Sequence, residues 1–329
     1  MLSALYSLLE IVIVLLPILL SVAFMTIIER KVLASMQRRV GPNTEGYLGV
    51  LQPIADALKL VVKETVVAQH ATRSLFFLAP VISLVFSLLG WAVIPFGTGL
   101  AQSDFSLGIL YSLAISSIRL YGVLFAGSSA NSKYAFLGSL RSTAQKISYE
   151  LILSSAVLAV ILLTGTFHYT TIIETQQSVW FLIPLFPLFI IFFISVLAET
   201  NPTPFDLPEA ESELVAAFFT EHSGMIFLFF FLAEYCSIVL MSAFTAILFM
   251  GGYIMPEIIP NDTFINVQSV VLALKTCIFC FIFLWFRATL PRLRYDQLMQ
   301  ACWTGILPVV IALIILVPSL LVAFDIAPY

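Results

Sequence analysis

Residues 5–31 read LYSLLEIVIVLLPILLSVAFMTIIERK, and the reading of that stretch decides the fold. From Leu5 to Ile28 the only charge is Glu10, and Glu29, Arg30 and Lys31 then follow in succession. The apolar run exceeds the roughly 20 residues that cross a bilayer's hydrocarbon core. It is apolar all round, as expected of a helix that faces lipid rather than one that lies on a water-soluble core. The basic pair behind it marks the end that stays on the positive side of the membrane. No Lys or Arg precedes it, so a cleavable leader is not expected and the run is read as a first span.

Working outward, comparable runs recur along the whole chain. The expected spans are 5–28, 74–95, 107–127, 147–167, 179–198, 224–250, 267–286 and 302–324, each near the length a bilayer requires. The sixth is long enough to tilt. Only 10% of the 329 residues are charged, against about 25% in soluble domains, which leaves no room for a soluble domain. The sequence therefore predicts an all-α polytopic membrane protein, one transmembrane domain over residues 1–329 with eight helices.

The basic residues orient it. Connections 1–2, 3–4 and 7–8 carry Arg30, Lys31, Arg38, Arg39, Lys59, Lys63 and Arg73, then Lys133, Arg141 and Lys146, then Arg287, Arg292 and Arg294. Those are 13 of the 15 Lys and Arg, and the opposite connections hold none. Instead they hold Asp104, Glu174, Glu257, Asp262 and Asp325. The odd connections thus face the cytoplasm or matrix, and both termini face the other way. Within connection 1–2, Gln52, Asp56, Lys59 and Lys63 recur at helical spacing opposite Leu51, Ile54, Leu58, Val61 and Thr65. That pattern predicts an amphipathic helix at the membrane surface or in a groove at that depth.

Charges inside spans are costly and need a reason. Glu234 falls near the middle of span 6, Lys275 within span 7 and Arg119 within span 3. Glu150 opens span 4, and Glu199 closes span 5. Residues 198–224, AETNPTPFDLPEAESELVAAFFTEHSG, gather Glu199, Asp206, Glu209, Glu211, Glu213 and Glu221 with no Lys or Arg. Pro202, Pro204 and Pro208 bar a helix before Glu209. A short helix is expected from Pro208, capped by Asp206, with Glu209 and Glu211 favoured at its positive end. Glu209 and Glu213 would share one face and repel. Such a loop stays ionised only if bases arrive from elsewhere. Arg38, Arg39, Arg292 and Arg294 lie on the same side, and alternate pairing with them would raise or lower the acids' proton affinity. Two readings compete for Glu234: pairing with Lys275 or Arg119, or a proton relay running from Asp206 and Glu221 through Glu150 and Glu199 to Glu234.

The inventory excludes several chemistries. Cys277 and Cys280 have a C-x-x-C spacing, but nothing completes a tetrahedral metal site, and buried cysteines are ordinarily small apolar residues. His70, His168 and His222 occupy no common span, so a bis-His haem within the bundle is not expected. No Gly-rich phosphate loop is present. No metal and no redox cofactor is expected in this chain, and electron chemistry would have to come from a partner.

Five strings carry a family resemblance: ERKVLASMQRRVGPN (29–43), LQPIADALKLVVKE (51–64), NSKYAFLGSLRSTAQKISYE (131–150), AETNPTPFDLPEAESELV (198–215) and RATLPRLRYDQLMQACWTGILP (287–308). Together they resemble the subunit 1 family of proton-pumping NADH:quinone oxidoreductases, respiratory complex I, over essentially the whole chain. The resemblance implies a cofactor-free membrane subunit at the junction with the peripheral arm, forming the mouth and wall of a ubiquinone tunnel. FMN and iron–sulfur clusters are then expected in partner subunits, and antiporter-like membrane subunits as neighbours. It further implies quinone-site roles for Thr26, Arg30, Asp56, Phe231, Tyr235 and Arg287. Glu29, Glu150, Glu199, Asp206, Glu209, Glu211, Glu213, Glu221 and Glu234 match the coupling carboxylates. Two departures stand out: Pro202 where the family usually has Arg, and His222 where it usually has Tyr. Arg119 is the candidate replacement for the missing base. The mitochondrial inner membrane is the expected location, a bacterial plasma membrane the alternative.

A stand-alone proton-coupled transporter is the rival reading. It would show internal repeats and charges around a midplane site, whereas here the acids crowd towards one surface. A purely structural anchor is the third, and would tolerate matched removal of its buried charges.

Overall fold

The computed structural model describes residues 2–206, 217–255 and 268–325, which are helical with no strand among them. The helices are α1 (Leu2–Met36), α2 (Gln52–Val62), α3 (Arg73–Leu89), α4 (Gly108–Ser129), α5 (Lys133–Thr164), α6 (Tyr169–Thr175), α7 (Phe186–Thr200), α8 (Met225–Met250), α9 (Gln268–Thr289) and α10 (Tyr295–Ala323). Seven of them, α1, α3, α4, α5, α8, α9 and α10, are long and apolar enough to cross a membrane.

The expected span at 179–198 differs. Its helix, α7, has 15 residues, about 22 Å at 1.5 Å per residue. Before it the chain turns: Ile183 N donates to Trp180 O at 3.1 Å, and Leu182 N to Phe249 O at 2.9 Å. Pro184 has no N–H to continue a helix through this turn, whereas Pro187 sits in the first turn of α7, where an N–H is not needed. Among the described residues, seven helices are thus long enough to cross a membrane, and the expected span at 179–198 is represented by the shorter apolar helix α7.

Helix α5 begins 14 residues before the expected span. Ser132 caps it by accepting from Ala135 N at 3.1 Å. Arg141 and Lys146, expected in a connection, consequently ride on a helix. The amphipathic segment does form α2, with Leu51, Ile54, Leu58 and Val61 exposed.

Helix α4 packs between α3 and α5, α5 also against α7 and α10, and α8 against α1, α3, α7 and α9. The α4–α5 crossing is close at Gly127, where an added Cβ would stand 2.1 Å from Ser139 Oγ and 2.7 Å from Ala135 O. An aromatic core formed by Phe189, Phe192, Phe193, Phe249, Phe279 and Phe283 joins α7, α8 and α9. With α1 and α8 in contact, and α4, α5 and α7 packed in series, two groups of polar side chains are fixed on rigid helices.

Candidate functional site

The first group lies where the basic ends of α1 and α9 meet α8 and α2. Glu29 on α1 is buried. Arg287, in the last turn of α9, donates to its Oε1 at 2.7 Å, and the Tyr235 hydroxyl of α8 donates to its Oε2 at 2.7 Å. One residue along, Arg30 donates to Asp56 Oδ2 of α2 at 2.7 Å, and Gln52 Nε2 donates to Asp56 Oδ1 at 3.0 Å. Phe231 extends the aromatic row from Tyr235 to Phe227 and Phe219. Thr26 donates its hydroxyl to Ala23 O within its own helix. Six residues singled out from the sequence thus meet across four helices: Glu29, Arg30, Asp56, Phe231, Tyr235 and Arg287. Thr26 lies one helical turn from Arg30. The arginines are anchored by carboxylates rather than left as bare donors.

The second group lies within the bundle. Arg119 of α4, 7% exposed, donates to Glu199 Oε1 of α7 at 3.0 Å, and Glu199 is 1% exposed. The partner of Glu199 is thus a base on α4, outside the acidic stretch that holds Pro202. A turn away on α4, Ser116 and Ser117 donate to Glu150 Oε1 of α5. With its amide placed to satisfy both neighbours, Asn201 donates to Ala198 O at 3.1 Å and accepts from Lys146 Nζ at 3.2 Å. A cavity of about 40 Å³ joins Arg119, Lys146, Asn201 and Glu234, with Ser83 and Ser237 completing its polar lining. Gln145 braces the arrangement by donating to Ala198 O and Phe205 O, each at 3.0 Å. Sequence reasoning named Glu150, Glu199 and Glu234 but counted Lys146 only as a loop base and passed over Gln145. The signal for both was their place on the run from Ser132 to Glu150, which continues α5.

The acidic stretch is described in part. Arg292 donates to Asp206 Oδ2 at 3.2 Å, and Thr203 Oγ1 to Arg287 O at 2.9 Å, which ties the stretch to the end of α9. Glu221 is half-buried in the turn before α8. Glu209, Glu211 and Glu213, with the helix expected from Pro208, lie outside the described residues, as do Glu257 and Asp262. Among the described residues Arg39 donates to Gln37 Oε1, and Arg38 and Arg294 make no ion pair with a carboxylate. Beside the stretch, His222 is buried against Phe76, ring centroids 4.2 Å apart.

Lys275 belongs to neither group. Its ammonium donates to three main-chain carbonyls at the far end of α8: Met250 O at 2.7 Å, Gly252 O at 2.8 Å and Ile254 O at 2.6 Å. The expected alternative, an ion pair with Glu234, is replaced by this cage. All four cysteines are free, and no metal-holding group of His, Cys, Asp and Glu occurs among the described residues.

Seven long apolar helices among the described residues, with ion-paired charges buried between them, define a polytopic membrane protein. The family model for NADH dehydrogenase matches residues 9–318, and the chain belongs to that family. It is a membrane subunit of an NADH:quinone oxidoreductase, complex I. It is 73% identical over 331 residues to the NADH-ubiquinone oxidoreductase chain 1 of Mycosarcoma maydis, covering 100% of both chains. It is 53% identical to the protein of the same name from Podospora anserina, over 99% of this chain and 98% of that one. To the corresponding NADH-quinone oxidoreductase subunit from Rhodospirillum centenum it is 50% identical, over 97% of this chain and 95% of that one.

Proposed function

We propose that the chain forms the mouth and wall of the tunnel that admits ubiquinone, and that its carboxylates couple quinone reduction to proton translocation. The observation that carries this reading is the junction of α1, α2, α8 and α9. A quinone is a polar ring on an apolar tail, and suits a mostly apolar channel with a few fixed donors. Arg30, Arg287 and Tyr235 are such donors, each held in place by Glu29 or Asp56. Behind the junction, buried Glu199 and half-buried Lys146, Glu150 and Glu234 offer proton-exchanging groups. Asp206, Glu209, Glu211, Glu213 and Glu221 extend the series to the surface, where Arg292 and, in an alternate pairing, Arg38, Arg39 and Arg294 supply the counter-charge.

In this reading α7 is the eighth span and α2 lies in the interface, its exposed leucines and valines towards lipid. The basic connections face the mitochondrial matrix, and both termini face the intermembrane space of the inner membrane, as the segregation of Lys and Arg supports. The whole chain acts as one transmembrane domain. Peripheral-arm subunits bearing FMN and iron–sulfur clusters would dock at the basic side, and antiporter-like subunits beside the bundle.

The test is Arg287→Met in the assembled complex. Glu29 then loses its base, and quinone-linked turnover is expected to fall at least about tenfold, equivalent to about 1.4 kcal/mol of barrier. NADH oxidation by an artificial acceptor persists, because the electron carriers sit elsewhere. Unchanged quinone kinetics in assembled Arg287→Met complex would remove the junction from the quinone path.

A further inference from the structure

Helices α1 and α9 bring Glu29 and Arg287 together at their basic ends. Along the rest of their length a cavity of about 570 Å³ lies between them. Its α9 wall follows one helix face from Ser269 to Leu284, its α1 wall runs from Pro17 to Ile28, and Trp91 and Ala243 close the back. Ile18, Met25, Leu272 and Leu284 on the floor are buried, whereas Phe24, Ile28, Cys277 and Phe281 on the rim are exposed. The cavity is therefore a groove that opens on the outer surface of the bundle, at the depth of two membrane-crossing helices.

The groove is apolar in its chemistry as well as its composition. No charged side chain lines it among the described residues. Ser21 Oγ donates to Ile18 O at 2.7 Å and Thr276 Oγ1 to Ala273 O at 2.8 Å, each within its own helix. Trp91 Nε1 donates to Cys236 Sγ at 3.3 Å, and Cys280 Sγ to Ser242 Oγ at 3.4 Å. Only the thiol of Cys277 and the hydroxyl of Ser269, at the outermost turn, remain as polar tips. Water finds too few partners in such a space, and an empty apolar cavity destabilises in proportion to its volume. At 1.5 Å per residue the groove is about 16 Å long on α1 and about 22 Å on α9, somewhat more than the roughly 15 Å depth of one leaflet's hydrocarbon. A helix at least about 10 Å across would need roughly 1,200 Å³ over the shorter length, twice the space there is. A single hydrocarbon chain fits both the length and the lining.

We propose that the groove between α1 and α9 binds one acyl chain of a membrane phospholipid, which stands as a spacer between the two helices while its headgroup stays at the bilayer surface. The isoprenoid tail of a quinone shares this chemistry. A quinone, however, leaves with turnover, whereas the groove has to be filled at all times, and phospholipid is the bulk component of the bilayer. The site does not depend on the tunnel reading, and its test needs no turnover. The assembled complex is exchanged into phosphatidylcholine that carries a diazirine midway along one acyl chain, washed with detergent to strip loosely held lipid, illuminated and digested. Crosslinks on residues 17–28 and 269–284 are expected at about ten times the level on the exposed face of α10 at Ile311 and Ile315, the ratio that about 1.4 kcal/mol of preference gives. Ala273→Trp places an indole in the groove and should remove most of that labelling while leaving α10 as in the parent. Should this variant fail to assemble, Ala273→Leu replaces it with the same expectation. Labelling of the two segments no stronger than that of α10, or unaltered by the substitution, would overturn the proposal. A ubiquinone analogue with the diazirine in its tail, treated in the same way, should label the segments less than the phospholipid does. The reverse order would assign the groove to the quinone tail and overturn the proposal as well.

Discussion

Two buried cations stand in the same bundle, and the chain satisfies them by different chemistry. Arg119 meets a carboxylate, Glu199, in a neighbourhood that also holds Glu150, Glu234 and Lys146. Lys275, 5% exposed, meets main-chain carbonyls and the ring of Trp180, 5.0 Å away, among the described residues. The carbonyls converge because α8 ends in Gly251 and Gly252 at φ 67° and 51°, a left-handed pair that folds Met250, Gly252 and Ile254 over one point. The negative end of the α8 dipole lies at the same place. A carbonyl cannot take up a proton, so the partners of Lys275 keep a fixed charge and the cage works as a fixture. A carboxylate can, so the Arg119 cluster has several charge states and is adjustable. Both kinds of support occur in one chain, and only the adjustable kind lies beside the proposed quinone junction.

The largest expected effect breaks the fixture. Lys275→Met keeps the length of the side chain but leaves three buried carbonyls without a donor. Each such orphan costs about 1–3 kcal/mol, and the sum is comparable to the whole reserve of about 5–15 kcal/mol of a folded domain. Loss of most of the assembled complex on a native gel is the expected outcome. Arg119→Gln/Glu199→Gln, by contrast, removes a matched pair, which is often near neutral, and should assemble at parental abundance. Equal abundance of the Lys275→Met and double-variant complexes would erase the distinction between fixture and adjustable cluster.

The same contrast explains what the sequence disclosed. Hydropathy located seven spans because composition alone separates lipid-facing helix from loop. It misjudged residues 179–185, since a turn built of Val, Trp, Phe, Ile and Leu is as apolar as the helix it interrupts. It started α5 too late for the opposite reason. Ser139, Ser142, Thr143 and Gln145 are polar but buried against protein, so a helix that continues looks like a connection. Charge balance required partners for Arg119 and Lys275 and offered Glu234 for either, whereas the structure pairs Arg119 with Glu199 and Lys275 with the backbone. The partner of Arg119 was a carboxylate, a residue type that sequence displays. The partners of Lys275 were backbone carbonyls, which every residue carries and no sequence marks. The junction at Glu29 was legible only through the family strings, because its members come from four helices separated by up to 258 positions.

A smaller effect should follow from changing geometry and leaving every charge in place. In Gly127→Ala the new methyl meets Ser139 Oγ and the backbone at Ala135 O, and the second contact cannot be relieved by a rotamer change. Helix α4 is forced away from α5, which carries Arg119 away from Lys146 and Glu150. Overpacking of this kind costs about 1–3 kcal/mol, so partial loss of complex is expected. The informative quantity is turnover per assembled complex. It should drop on the order of tenfold, since misplacement by about 1 Å can cost up to 10²-fold, while oxidation of NADH by an artificial acceptor is retained per complex. Parental turnover per complex would mean that the cluster tolerates loose spacing, and that its adjustability is a matter of charge alone.

The smallest effect concerns a third basic side chain, which escapes the choice between carboxylate and carbonyl by staying neutral. His222 lies against Phe76 and Phe230, centroids 4.2 and 5.3 Å away, and neither ring nitrogen makes a hydrogen bond among the described residues. Burial pushes its pKa down from 6.5 to about 4, with the Ala126 backbone acting in the opposite direction. Above pH 6.5 the ring is neutral whether docked or exposed, and titration adds nothing. Between 6.5 and 4 only the exposed ring takes a proton, so the undocked form gains. Docking of the turn before α8, which Ser223 also secures by accepting from Val66 N at 3.2 Å, therefore weakens as pH falls through that window. At pH 5.5 the loss is about 1.4 kcal/mol. His222→Phe keeps an aromatic ring in the cluster and has no proton to gain. Its complex should match the parent in thermal stability at pH 7.5 and exceed it at pH 5.5 by an amount equivalent to about 1 kcal/mol. A parallel pH dependence in both proteins would show that His222 stays docked or finds a partner when charged. It would then join Arg119 and Lys275 as a held cation instead of marking the third solution.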